Sequence, residues 1–182
     1  LLSDNGASQE GGPFGVLHEM KFFNFVLEEP DEAIARLDDI GGPSSHANYP
    51  WGWAQAGNTP FRWYKQNTHE GGVHVPMIVH WPAGMEDPGG RRDQFHYVTE
   101  IAPTVYDICG VTPPESHHGF DQMPVVGTAM TYLFAAGAAA EPSRKTVQYF
   151  EMMGHRAIHA DGWKAVTRHQ AGTPFDDDRW EL

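Results

Sequence analysis

Basic residues are scarce in this sequence. Twelve Lys and Arg stand against 24 Asp and Glu, a formal net charge of -12. No basic stripe is available to neutralise the phosphates of a nucleic acid, so that class of partner is not expected. The same balance does not exclude a small anion, because a bound divalent cation can reverse the local field. Cysteine is nearly absent: Cys109 stands alone, so no disulfide can form within the chain, and neither a reducing nor an oxidising compartment is selected. No run of about 18 apolar residues occurs, so no membrane-spanning helix is expected. No targeting segment and no repeat of fixed period is visible. Nothing chooses between a cytoplasmic and a periplasmic location, or sets an oligomeric state.

What is present is globular in composition. The chain has 182 residues, 40% hydrophobic and 20% charged, enough for a domain with its own core. Its most informative stretch runs from Asn58 to Pro82, NTPFRWYKQNTHEGGVHVPMIVHWP. Lys65 supplies a point charge of the kind that binds phosphate or sulfate. Gly71 and Gly72 allow close backbone approach or positive φ. Val75, Met77, Ile78, Val79 and Trp81 read as a strand buried on both faces. The alternative is a surface lysine before a glycine turn. At the start of the chain, Leu1-Leu2 reads as the end of a strand already under way, turned by Ser3-Asp4-Asn5-Gly6. A carboxylate and an amide oxygen at a strand's carboxyl end suit a hard cation, although Asp-Asn-Gly is also an ordinary turn.

Along the rest of the chain, Phe22 to Leu27 reads as a strand or an irregular packed segment. Pro30–Ile40 reads as a helix with Gly41 as its stop. Residues 43–58 read as an aromatic loop carrying Tyr49, Trp51 and Trp53, either packed on the surface or walling an aromatic ligand. Thr99–Cys109 reads as a helix capped by Thr99, with Ile101, Val105 and Ile108 on one face and Cys109 in the core. His117-His118 reads as a solvated loop rather than a metal pair. Residues 128–140 read as small and apolar, suited to packing or to a loosely held segment. Val147–Glu151, Arg156–His159 and Trp163–Thr167 read as short antiparallel strands, with Asp161-Gly162 as a hairpin turn. His155 and Arg156 read as support for this sheet. Asp176–Asp178 reads as a solvated turn.

KQNTHEGGVHVPMIVHWPAG resembles the K-x-x-T-x-x-G-G segment and following apolar strand of the type I sulfatases. LLSDNG resembles their metal-binding Asp-Asn-Gly, and QYFEMMGHRAIHADGWKAVT resembles their smaller C-terminal subdomain. The resemblance implies the C-terminal part of an alkaline-phosphatase-like α/β/α sandwich over residues 1–143, then a small antiparallel subdomain with a helix over 144–182. It implies Asp4 and Asn5 as ligands of Ca²⁺ or Mg²⁺, and Lys65 as a sulfate ligand. His69 is a weaker catalytic candidate, from its nearness to Lys65 alone.

In that family the nucleophile is a formylglycine made within C/S-x-P-x-R. Cys109 is followed by Gly-Val-Thr, and no Ser-x-Pro-x-Arg occurs. The expectation is therefore a portion of a sulfuric ester hydrolase, inactive alone. Its formylglycine would come from a part preceding Leu1, and its substrate would be a small sulfate monoester, aryl in the first instance. A phosphatase, phosphodiesterase or phosphonate hydrolase of the same superfamily is the alternative, as is a non-catalytic anion-binding module.

Overall fold

The computed structural model describes residues 1–182. Its helices are short: α1 (Glu19–Phe23), α2 (Pro30–Ala35), α3 (Trp51–Asn58), α4 (Glu70–Val73) and α5 (Ile101–Cys109). Proline opens α2, and Asp31 and Glu32 in its first turn complement the positive end of the helix dipole. One 3₁₀ turn, Leu37–Asp39, continues it, and Gly41 then takes φ 82°. The cluster after Lys21 does not form a strand. It supplies the end of α1 and then exposed coil, with Phe25 96% exposed.

The aromatic stretch before Asn58 corrects the expected loop. Trp51–Asn58 is helical, and Ala54 within it is fully buried. That single buried contact point outweighs the poor helix propensity of Gly52, Gly57 and two tryptophans. A second correction concerns residues 75–81. They form no strand: Met77 makes a single bridge with Leu2, and Ile78 is 62% exposed. Pro76 has no N–H to donate, and a strand buried on both faces needs neighbours that a single bridge does not supply.

The β structure is antiparallel. β1 (Ser116–His117) pairs with β2 (Phe120–Asp121) around exposed His118 and Gly119. β3 (Val147–Met152), β4 (His155–Ala160), β5 (Trp163–Thr167) and β6 (Trp180–Glu181) form a four-stranded sheet in sequence order. Two-residue loops join β3 to β4 and β4 to β5. Asp161 and Gly162 have φ of 48° and 86°, and Met153 and Gly154 have 54° and 86°. Both central residues are left-handed, the backbone that matches strand twist. β6 pairs with β5 through Val166–Glu181 and Thr167–Trp180.

Two compact units interleave along the chain, where the sequence had suggested one boundary after residue 143. One comprises Leu1–Met77, Tyr149–Ile158 and Lys164–Leu182; the other comprises Ile78–Gln148 and His159–Trp163. The second is built on residues 128–140, whose Met130, Leu133, Phe134 and Ala138 are buried. α5 packs there through Thr104, whose hydroxyl donates to Glu100 O at 2.6 Å and accepts from Met130 N–H at 2.8 Å. The Glu100 carboxylate, not Thr99, accepts from the Tyr97 N–H at the start of this helical segment. The apolar stripe of α5 points outward, with Val105 53% and Ile108 39% exposed, and Cys109 is exposed rather than in the core.

The first unit is cored by Val16, Leu17, Ala54, Phe150 and Ala157. Its tightest packing is backbone on backbone. A Cβ on Gly71 would lie 1.9 Å from Trp63 O, one on Gly72 2.0 Å from Asn67 O, and one on Gly6 1.7 Å from Gly71 O. Close approach, not positive φ, explains the double glycine. Gly71→Ala is expected to destabilise the chain by about 3 kcal/mol or more, as overpacking against rigid backbone does. Gly52→Ala, on open helix surface, is expected to stabilise by about 0.5 kcal/mol. Urea midpoints of the two variants check the contrast.

Candidate active site

The Asp4 and Lys65 segments lie side by side. The Gly6 N–H donates to Gly72 O at 3.0 Å, and the Lys65 N–H donates to Ala7 O at 3.0 Å. Asn58 clamps the arrangement with one side chain. Its Oδ1 accepts from the Ala7 N–H at 3.0 Å, and its Nδ2 donates to Trp63 O at 3.0 Å and Gly71 O at 2.9 Å. The turn holding Lys65 is strained on both sides, with Trp63 at φ 66° and Gln66 at φ 73°. Left-handed backbone at bulky residues persists only where surrounding contacts over-determine it. Here those contacts are the Asn58 bonds and the glycine packing beneath.

Asp4 is exposed, and no hydrogen bond or ion pair engages its carboxylate. Asn5 donates through Nδ2 to Gly6 O at 2.7 Å, which leaves Oδ1 uncommitted. Two free hard oxygens on adjacent residues fit part of the six to eight oxygen ligands of a Ca²⁺ ion. No group of three or more His, Cys, Asp or Glu side chains converges anywhere in the chain, so these two residues make a partial donor set.

Lys65 Nζ forms an ion pair with Glu10 Oε2 at 2.7 Å, and the Glu10 side chain is only 7% exposed. Ser8 Oγ donates to the same oxygen at 2.9 Å. Gln66 Nε2 reaches Glu10 Oε1 at 3.4 Å and its Oε1 accepts from Gln9 Nε2 at 2.6 Å. Sequence reading missed Glu10 and the role of Asn58. Glu10 lies 55 positions before Lys65, and no local pattern links them.

His69 belongs to a different neighbourhood of the same unit. It is 5% exposed, its Nδ1 has no partner, and the Trp63 ring meets it edge-on at 6.1 Å. Burial, helped by the positive charge of Arg62, lowers its pKa to about 4. At neutral pH it is an uncharged imidazole, with no proton to deliver as an imidazolium. Nearby, Lys164 Nζ pairs with Glu70 at 2.5 Å and lies over the Phe150 ring at 5.2 Å. Burial lowers the Lys164 pKa despite Glu70. Burial raises the Glu70 pKa, but the hydrogen bonds and positive charges of Lys164 and His74 together outweigh it and hold the carboxylate below its ordinary range. Arg168 lies over the Trp63 ring at 4.1 Å.

Arg156 and His155 support the sheet as expected. Arg156 pairs with Asp178 at 2.7 Å, and His155 Nδ1 accepts from the His169 N–H at 3.0 Å. Asp178 is a correction to the solvated turn: its side chain is 3% exposed and also meets His169 at 3.1 Å. The rings of His117 and His118 meet at 4.0 Å on an exposed turn.

The lowered His69 pKa has a sign. The unfolded chain takes up a proton near pH 6.5 and the folded chain only near pH 4. The stability due to neutral burial is thus complete above about 6.5 and is lost as pH falls toward 4, by up to about 3 kcal/mol. His96 and His155, also lowered chiefly by burial, act in the same direction. Urea midpoints are therefore expected to fall between pH 7 and 4.5, and His69→Phe is expected to flatten that dependence.

Residues 1–111 match the family described as Sulfatase, and residues 59–170 match the one described as N-sulphoglucosamine sulphohydrolase, C-terminal. Over its whole length the chain is 30% identical to an uncharacterized sulfatase of Schizosaccharomyces pombe, of which it covers 31%. Over 75% of its length it is 25% identical to an arylsulfatase of Klebsiella aerogenes, of which it covers 28%. Arylsulfatase K of Xenopus laevis is 23% identical over 45% of the chain, which covers 15% of that protein. The chain thus spans about a third or less of these relatives. Its mixed helical and antiparallel content is that of the C-terminal region of an α/β sulfatase. With two family matches that together run from residue 1 to residue 170, and a relative matched end to end, the chain belongs to the sulfatase family.

Proposed function

We propose that this chain carries one side of the active site of a sulfuric ester hydrolase acting on small, aryl-type sulfate monoesters. The observation that carries the reading is the backbone pairing of the Ser3–Ala7 turn with the Lys65–Gly72 turn. It sets two uncommitted hard oxygens and one ammonium group on adjoining turns of a strained, well-held frame. Asp4 and Asn5 would hold a divalent cation, Ca²⁺ before Mg²⁺. Their neighbouring oxygens form an open partial set, and Ca²⁺ tolerates irregular geometry better. Such an ion supplies Lewis acidity and a template for the sulfate oxygens.

Lys65 binds the sulfate and stabilises the negative charge that grows toward the leaving oxygen, an interaction stronger in the transition state than before it. Its ammonium is the right group for this, a compact charge with three donors on a flexible stem. The burial and lowered pKa of His69 favour a structural role for it over that of the acid that protonates the leaving group. No C/S-x-P-x-R is among these 182 residues, so on this reading a formylglycine nucleophile would have to be supplied from elsewhere.

Calorimetric titration of the chain with inorganic sulfate, with and without Ca²⁺, tests the binding half. Calcium-dependent sulfate binding is expected. Lys65→Ala is expected to weaken it roughly tenfold or more, the scale of one charge-assisted hydrogen bond. Asp4→Asn is expected to remove the calcium dependence. Sulfate affinity indifferent to both substitutions would sink the reading.

The catalytic half has its own outcome. The purified chain is expected to release no phenol from an aryl sulfate, because the nucleophile is not among its residues. Turnover of an aryl sulfate by this chain alone would contradict that. Parallel assays on the matching phosphate ester would expose a phosphatase.

A further inference from the structure

We infer that Glu10 is a positioning residue: a buried carboxylate that fixes the ammonium of Lys65 and lowers its ground-state affinity for anions. The inference rests on the reading of Lys65 as the sulfate ligand, and it names a residue that this reading does not contain. A lysine has the most rotamer freedom of any cation, and freezing it has a large entropic cost. The Lys65 side chain is 31% exposed, yet its Nζ lies 2.7 Å from a carboxylate that is 7% exposed.

That carboxylate has little freedom to move. Ser8 Oγ donates to it at 2.9 Å and accepts from the Glu10 N–H at 3.2 Å. On its other oxygen Gln66 Nε2 approaches at 3.4 Å, and Gln66 is held in turn by Gln9 at 2.6 Å. Gln9 is 7% exposed. Gln66 takes φ 73° to join this chain of contacts, a conformation that bulky residues adopt only under constraint. The backbone agrees, since the Lys65 N–H donates to Ala7 O at 3.0 Å within the same Ala7–Glu10 segment. Side chain and main chain of Lys65 are thus tied to one short stretch, the stretch that follows Asp4 and Asn5.

A buried carboxylate beside an anion-binding lysine repels the anion as well as holding the lysine. Removing its charge without changing its shape abolishes both effects at once, and the sign of the change in affinity reports which of them dominates. Glu10→Gln keeps the size of the side chain and a partner for Ser8, but withdraws the negative charge. The repulsion acts at short range in a partly dry setting, so its loss outweighs the regained motion of Lys65. A residue with a purely structural role would show the opposite pattern, with weaker sulfate binding and lower stability together.

The test uses the full 182-residue chain with ¹⁵N-labelled lysine. Its four lysines are Lys21, Lys65, Lys145 and Lys164, so Lys65→Arg assigns the signal of interest. The wild-type chain is expected to show a slowly exchanging Lys65 ammonium resonance. In Glu10→Gln that resonance is expected to vanish, while affinity for inorganic sulfate in the presence of Ca²⁺ rises about tenfold. Glu10→Asp, which restores the charge, is expected to return sulfate affinity to within about twofold of wild type.

An unchanged resonance and unchanged affinity in Glu10→Gln would overturn the inference. So would weaker sulfate binding in step with a fall in the denaturation midpoint. Should Glu10→Gln not fold, Ser8→Ala loosens the same carboxylate and is expected to broaden the Lys65 resonance; an unaltered resonance there overturns the inference equally. Indifference of sulfate affinity to Lys65→Ala would instead sink the assignment of Lys65 itself, whatever Glu10 does to its motion.

Discussion

One amide holds the candidate site together. Asn58 accepts from the Ala7 N–H and donates to the carbonyls of Trp63 and Gly71, so a single side chain joins three stretches of backbone. Backbone groups that lose such partners away from water are costly. Around this clamp the three glycines at 6, 71 and 72 let main chain lie directly on main chain. The left-handed residues on either side of Lys65 are a consequence: the chain must turn sharply between two anchored points.

The polar groups of the first unit fall into two kinds. Asp4, Asn5 and Lys65 are at least partly open to solvent, while Glu10 beside Lys65 is buried. At His69 and Lys164 burial sets the direction of the pKa shift, downward in both. The chain is strongly acidic overall, yet its cations are not spread evenly against that background. Lys65 is held by a carboxylate, Arg168 by an aromatic face and Arg156 by both. A cation held by a carboxylate can be shared with an incoming anion, whereas one stacked on indole is chiefly a packing element. That contrast favours Lys65, rather than its neighbours, for the proposed role of sulfate ligand.

The outward apolar stripe of α5 and the segment after Pro76 belong together as a physical theme. Both have patterns that sequence reading assigns to a core, Ile101-Val105-Ile108 by helical spacing and Val75 to Trp81 by continuous hydrophobicity. Both are substantially exposed. Periodicity reports which residues share a face, not whether anything covers that face. The same reasoning failed at Cys109, expected inside from its apolar flank and found outside.

Local chemistry was enough for the hairpins, because two-residue turns at Met153-Gly154 and Asp161-Gly162 demand left-handed backbone and the flanking residues favour strands. It was enough for α2 and α5, where a proline or a stop glycine marks an end. At Lys65 and Asp4 the few local residues left an ordinary turn open, and only the resemblance to the sulfatases pointed to a site. What tertiary structure alone decided was their pairing through Asn58, the occupation of Lys65 by Glu10, the burial of Asp178 and the helix at Trp51–Asn58. Each of these depends on a contact made far along the chain or, for α3, on burial at Ala54. Contacts between distant residues carry no sequence signal, since folding closes long loops for the sake of the whole packing and not of any local pattern.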